Sequence, residues 1–290
     1  MVRRSELNVS GVRTVVAQSG PEDSDEALVF VHGNPGFSRD WEDLMTRAGA
    51  FCRCVAPDMP GFGSSDKPET FDYTVAGYAR HLGALLNELE IRRVHLVLHD
   101  FGGPWGLAWA LSAPSALASL TLINTGILTG YRWHLFARLW QTPLLGEAVM
   151  ATTTRAGFRL LIQRGNPRGL PIEFVDSMFD CFDAGTKRAV LRLYRATSNP
   201  TELADRFVQA FRGFSCPVLV IWGRADPYIA ASYAERQREF FPAAEVAVLD
   251  QSGHWPYADD PERVAALALP FWRKAVSKTS GPNLGCESGR

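Results

Sequence analysis

Short apolar runs alternate with longer amphipathic stretches along most of this chain, and the alternation breaks once. Strand-length runs fall near residues 7–10, 13–18, 27–31, 52–56, 94–98, 119–124, 217–222 and 245–249. Between Tyr73 and Glu90, the residues Val75, Tyr78, Ala79, Leu82, Leu85, Leu86 and Leu89 recur at helical spacing. A further helix is expected after Asp100, with Pro104 in its first turn, where the missing N–H is tolerated. Another is expected over residues 261–275. From the third run onward strands and helices alternate, which predicts an α/β architecture: a mostly parallel sheet of eight strands with helices on both faces.

Between Gly126 and Gly213 the strand signal stops and helical patterns take over. This segment reads as a helical cap inserted between the sixth and seventh strands. It divides the core into a first part over residues 1–125 and a second over 214–276. The cap supplies Tyr131, Trp133, Phe136, Trp140, Phe158, Phe174, Phe179, Phe182 and Tyr194. Some of these aromatics are expected to give a cleft its apolar wall. From Ser277 onward the chain is small and polar and reads as a disordered tail.

Chemistry concentrates where strands end. The run Val97-Leu98-His99-Asp100-Phe101-Gly102-Gly103 reads as a buried strand entering a helix through a glycine-supported corner, a nucleophile elbow with a carboxylate at its apex. An ionised Asp100 needs no base before it attacks an electrophilic carbon and forms an ester. A triad also needs a general base and a group to orient it. His254 sits in a Gly- and Pro-flanked loop after the last strand, and Asp226 follows the strand 217–222, so the order Asp100, Asp226, His254 matches nucleophile, acid and base. Asp250 competes for the acid but reads as a loop residue; His81 and His95 read as structural. The run Leu28 to Gly36 ends in His32-Gly33-Asn34-Pro35, and the N–H groups of Asn34 and Phe101 are the expected oxyanion donors.

The motifs His32-Gly33-Asn34-Pro35, Gly61-Phe62-Gly63-Ser64-Ser65-Asp66-Lys67-Pro68, the Asp100 corner, Trp222-Gly223-Arg224-Ala225-Asp226 and Gly253-His254-Trp255 together resemble the α/β-hydrolase superfamily over residues 7–275. Within it, they resemble the aspartate-nucleophile branch of epoxide hydrolases and haloalkane dehalogenases. The resemblance implies an α/β-hydrolase fold, an ester formed on Asp100, and hydrolysis by a His254-activated water. Epoxide hydrolases use cap tyrosines to assist the departing oxygen, and Tyr194, in Leu193-Tyr194-Arg195, matches one of them. A second is expected earlier in the cap, where only Tyr131 stands, with Trp133 and His134 as alternative donors. Dehalogenases bind the departing halide with the Asn of the first motif and a Trp after the nucleophile. Here Asn34 fits and Phe101, which carries no donor, replaces the Trp. Epoxide hydrolysis is therefore expected ahead of dehalogenation or another hydrolase or lyase activity of the fold. His32, Trp105, Tyr131, Trp133, Trp140 and Trp255 are the expected pocket residues.

Composition changes this picture little. Thirty basic residues against thirty-one acidic give no overall field for nucleic acid or an anionic membrane. Five cysteines with no disulfide or metal spacing suit a reducing, cytoplasmic compartment. Residues 1–11 lack an apolar core segment, and no run is long enough to span a bilayer, so neither secretion nor insertion is expected. The scheme calls for a small apolar organic substrate and water, with no metal or organic cofactor.

Overall fold

The computed structural model describes residues 1–277; the expected tail lies, apart from Ser277, outside the described residues. Eight strands form one sheet in the order β1-β2-β4-β3-β5-β6-β7-β8: β1 (Arg3–Val9), β2 (Val12–Ser19), β3 (Glu26–Val31), β4 (Arg53–Pro57), β5 (Arg93–His99), β6 (Leu117–Ile123), β7 (Val218–Gly223) and β8 (Glu245–Leu249). Strands β1 and β2 pair antiparallel, as do β2 and β4, and every later pairing is parallel. Strands β4, β6 and β7 are buried at all or nearly all positions, as a sheet covered on both faces requires. Strand β1 starts four residues earlier than its apolar run suggested. Its first four residues face solvent, so only backbone pairing with β2, Arg3 opposite Gln18, sets its length.

Helices α1 (Glu42–Ala48), α2 (Val75–Glu88) and α3 (Gly102–Ser112) belong to the core. Helix α2 starts at Val75 rather than Tyr73 because the Thr74 hydroxyl accepts from the Gly77 N–H and caps it. Its buried face meets α3, with Tyr78 and Trp105 stacked at 4.1 Å between ring centres. After β6 come α4 (Leu135–Gln141), α5 (Leu145–Ala151), α6 (Arg155–Gln163), α7 (Ile172–Asp180), α8 (Ala184–Ala196) and α9 (Pro200–Ala210), with no strand until β7. Helices α10 (Ser232–Arg236), α11 (Pro256–Asp259) and α12 (Pro261–Ser277) complete the chain. No helix among the described residues is long and apolar enough to cross a membrane.

Adjacent parallel strands end together: Val31 lies opposite Leu98 and His99 opposite Ile123, while Gly223 closes the neighbouring β7. The carboxyl ends of β3, β5, β6 and β7 therefore open onto one crevice beneath α4–α9.

Candidate active site

Asp100 sits at the corner between β5 and α3 with φ of 47°, a conformation that L residues other than Asn and Asp seldom adopt. Tight packing of backbone holds it there. A Cβ at Gly102 would overlap the Val31 carbonyl, and one at Gly33 would overlap the Asp100 side chain itself. The Thr125 hydroxyl donates to the Asp100 carbonyl at 2.7 Å, fastening the corner to the end of β6. The Asn34 N–H donates to Asp100 Oδ1 at 2.7 Å, and the Phe101 N–H also acts on this carboxylate. Burial pushes the Asp100 carboxyl above its usual range, and His254 with these two donors opposes that push.

His254 comes from the loop after β8 and lies with its Nδ1 2.7 Å from Asp226 Oδ2, so Nδ1–H donates and Nε2 is left as the acceptor. Asp226 is completely buried at its side chain and fully satisfied. Its Oδ1 accepts the N–H groups of Tyr228 at 2.7 Å and Ile229 at 3.0 Å, and its Oδ2 also accepts from the Asn124 amide at 2.7 Å. Nε2 of His254 is 3.7 Å from Asp100 Oδ2, beyond direct hydrogen bonding and within reach through one water. Burial alone would lower the imidazole pKa, but the Asp226 and Asp100 charges outweigh it and hold it above the ordinary value. Asp250 is on the surface and pairs with Arg224.

Residues 26–261 match the family model described as the alpha/beta hydrolase fold. The chain belongs to this family. A cis-3-alkyl-4-alkyloxetan-2-one decarboxylase of Xanthomonas campestris pv. campestris is 28% identical over 284 residues, covering 90% of this chain and 92% of that protein. Among solved structures, haloalkane dehalogenase DbeA of Bradyrhizobium elkani superposes with a TM-score of 0.84 at 22% identity, covering 96% of this chain and all of that one. Epoxide hydrolase VrEH1 of Vigna radiata gives 0.78 at 21%, covering 94% and 98%.

In this alpha/beta hydrolase, a cavity of about 310 Å³ lies between Asp100 and the helices that follow β6. Tyr131, Trp133, Trp140, Tyr194 and Trp255 line it, as the sequence suggested. His32 and Trp105 do not. His32 is buried, hydrogen-bonded to the Gly33 carbonyl and the Met59 N–H, and supports the Asn34 loop. Trp105, fully buried, stacks on Tyr78 and packs against Phe101. Trp105 joins the core because α2 offers its ring an aromatic partner, and His32 because both its ring nitrogens bond backbone groups.

Across the cavity the buried Tyr194 hydroxyl accepts from the Asn34 amide at 3.4 Å, and its ring meets Phe101 edge-on at 5.0 Å. Burial and the Asp100 charge push its pKa well above the usual phenol range, so it stays protonated. The other candidate donors divide sharply. The Trp133 indole N–H is committed to the Thr197 carbonyl at 2.9 Å and the Tyr131 hydroxyl to the Tyr228 carbonyl at 3.3 Å. The Trp140 N–H, buried against Tyr194, has no hydrogen-bond partner among the described residues.

Two supporting residues escape a motif search. Asn124, at φ of 46°, binds Asp226 through its amide N and the Gly223 N–H through its amide O. Its signal was a polar Asn-Thr pair at the end of a buried strand. His99 donates from Nε2 to the His254 carbonyl at 2.8 Å and accepts from the Tyr257 hydroxyl at Nδ1; burial holds its pKa well below the imidazole range. A strand-end histidine with a distant Tyr partner leaves no local pattern to read. Among the described residues no cluster of His, Cys, Asp and Glu is arranged to hold a metal.

Proposed function

We propose that this alpha/beta hydrolase opens a strained cyclic C–O bond in an uncharged, apolar substrate, an epoxide in the first instance, and hydrolyses the resulting ester to a diol. The observation that carries this reading is the opposition of a buried carboxylate, Asp100, and a protonated phenol, Tyr194, across one apolar cavity, both tied to Asn34. Apart from Asp100 and the two histidines His134 and His254, the lining has no ionisable side chain other than tyrosines, so nothing in it would balance a charged substrate.

Asp100 Oδ2 attacks a ring carbon, the C–O bond breaks, and the departing oxygen takes the Tyr194 proton. The charge that kept Tyr194 protonated is consumed in the same event, because Asp100 becomes a neutral ester. Trp140, with its free N–H beside Tyr194, supplies a second donor to that oxygen. His254 then removes a proton from water, and the hydroxide adds to the ester carbonyl, whose oxyanion the Asn34 and Phe101 N–H groups receive. Collapse releases the diol and restores the Asp100 carboxylate, and the proton on His254 returns to the Tyr194 phenolate.

The 28% identical relative is named for an oxetan-2-one, also a strained oxygen ring, which supports the wider class. A second reading, halide displacement, is favoured by one observation: the Asn34 amide and the free Trp140 N–H are two donors beside Tyr194 in the cavity that Asp100 also lines.

A His254→Gln variant blocks the second step and traps the ester. Intact-protein mass spectrometry after exposure to epoxides, haloalkanes and oxetan-2-ones is expected to show a gain equal to a whole epoxide, absent in Asp100→Asn. A gain equal to a haloalkane less hydrogen halide would establish the second reading. No adduct from any panel on folded protein would refute covalent catalysis by Asp100.

A further inference from the structure

The turn between α4 and α5 places leucine side chains in water at some cost. Leu135 is 65% exposed, Leu144 83% and Leu145 44%, and Pro143 between them is exposed as well. Leu144 also has φ of 65° and ψ of −42°, close to the strained γ-turn conformation that side-chain-bearing residues avoid. A leucine held at an unfavourable backbone conformation and fully hydrated serves neither local geometry nor burial.

The same hairpin carries positive charge. Arg132 and Arg138 are exposed and make no side-chain ion pair or hydrogen bond among the described residues, and Arg138 shares a shallow groove with Leu135, Leu139 and Pro143. The acid of this hairpin, Glu147, is already held by two bonds of 2.8 Å from Arg195. The neutral total charge hides this: residues 126–213 contain twelve basic and seven acidic groups, leaving eighteen and twenty-four for the rest of the chain. On their inner faces the same two helices line the substrate cavity with Phe136, Trp140, Val149 and Met150.

We propose that the α4–α5 hairpin docks this protein on an anionic lipid surface, its leucines entering the headgroup boundary and Arg132 and Arg138 meeting lipid phosphates. Apolar side chains projecting from a cationic face are what such surfaces bind. A second copy of the chain is a poorer occupant, because a two-fold contact through this patch would set its arginines against each other with no free acid to pair them. Docked this way, the cavity wall lies next to the phase in which an apolar substrate dissolves. The docking itself stands apart from the chemistry at Asp100.

The test is flotation of the full chain with vesicles of phosphatidylcholine alone and of phosphatidylcholine mixed with phosphatidylglycerol, at low and high salt. The wild type is expected to float with the mixed vesicles and to be released by salt. Leu144→Asn, which suits a positive φ, is expected to lower partitioning about tenfold or more with the melting temperature unchanged or raised. Leu135→Gln is expected to act in the same direction, and Arg132→Gln with Arg138→Gln to weaken binding to the mixed vesicles about fivefold each. Absence of wild-type flotation, or flotation unaffected by all four changes, would overturn the proposal. So would a dimer in sedimentation velocity that Leu144→Asn dissociates, which would assign the patch to a second copy.

Discussion

At the scale of single residues, the charges around His254 make a prediction that does not depend on the substrate. The imidazole is desolvated, which disfavours its cation, yet Asp226 and Asp100 together raise its pKa above the ordinary value. A raised pKa keeps the ring protonated to higher pH and so postpones the appearance of the free base. Removing one of the two charges reverses part of that. In Asp100→Asn the His254 pKa, followed by NMR, is expected to fall, because one of the charges that favour the imidazolium is gone. In the proposed scheme the ester intermediate resembles that variant, since its Asp100 is also neutral. The acid limb for ester breakdown is therefore expected at lower pH than the His254 pKa of the free enzyme. Coincidence of the two would show that Asp100 does not set the base.

At the scale of elements, the corner between β5 and α3 illustrates how backbone sterics hold a carboxylate at a positive φ. Asp100 adopts its positive φ because β3 and β5 are adjacent in register, so that the Val31 carbonyl crowds Gly102 and the Gly33 loop crowds Asp100. Gly102→Ala must push β3 and α3 apart, and overpacking of this kind costs about 1–3 kcal/mol. Such a loss appears as a lower unfolding midpoint in denaturant, together with loss of the Asn34 N–H contact to Asp100. An unchanged midpoint would mean that the junction has slack. The corner was legible as Asp-Phe-Gly-Gly after an apolar run. Its fastening by Thr125, which comes from the next strand, was not, because a hydroxyl's partner depends on which strand lies alongside.

At the scale of the whole molecule, the helices after β6 are joined to the core by charge as well as by the aromatic cavity wall. Lys67 of the core donates to Asp183 at 2.7 Å, and the same carboxylate caps α8 by accepting from Thr186 at 2.9 Å. Partial burial opposes ionisation of Asp183, but the Lys67 ammonium and the Thr186 N–H outweigh it and hold its pKa below the usual carboxylate value. A depressed carboxylate contributes stability above its unfolded pKa and loses it as pH falls through the folded one. The contribution is therefore expected to be intact at neutral pH and to fade below about pH 4. Asp183→Ala is expected to cost about 1 kcal/mol through the lost cap, with at most a modest addition from the half-exposed ion pair. Its penalty in thermal unfolding is expected to shrink as pH falls through the folded Asp183 pKa, where the wild type loses the charge as well.

Apolar runs and strand-end motifs were enough to read the sheet, the corner at Asp100 and the strand-end positions of Asp226 and His254, which the fold brings together. Apolar periodicity and glycine-bearing strand ends are local properties, and a strand's end dictates where its next residue points. Which aromatic side chains line the cavity follows from three-dimensional packing alone. Trp105 and His32 pack into the core while Trp133, Trp140 and Tyr194 face the cavity, because that choice depends on the neighbouring helix. The same packing decided that Trp133 spends its N–H on the Thr197 carbonyl and Trp140 does not. The neutral charge total hid a positive, leucine-bearing hairpin, because a sum over the chain says nothing about where the charges gather.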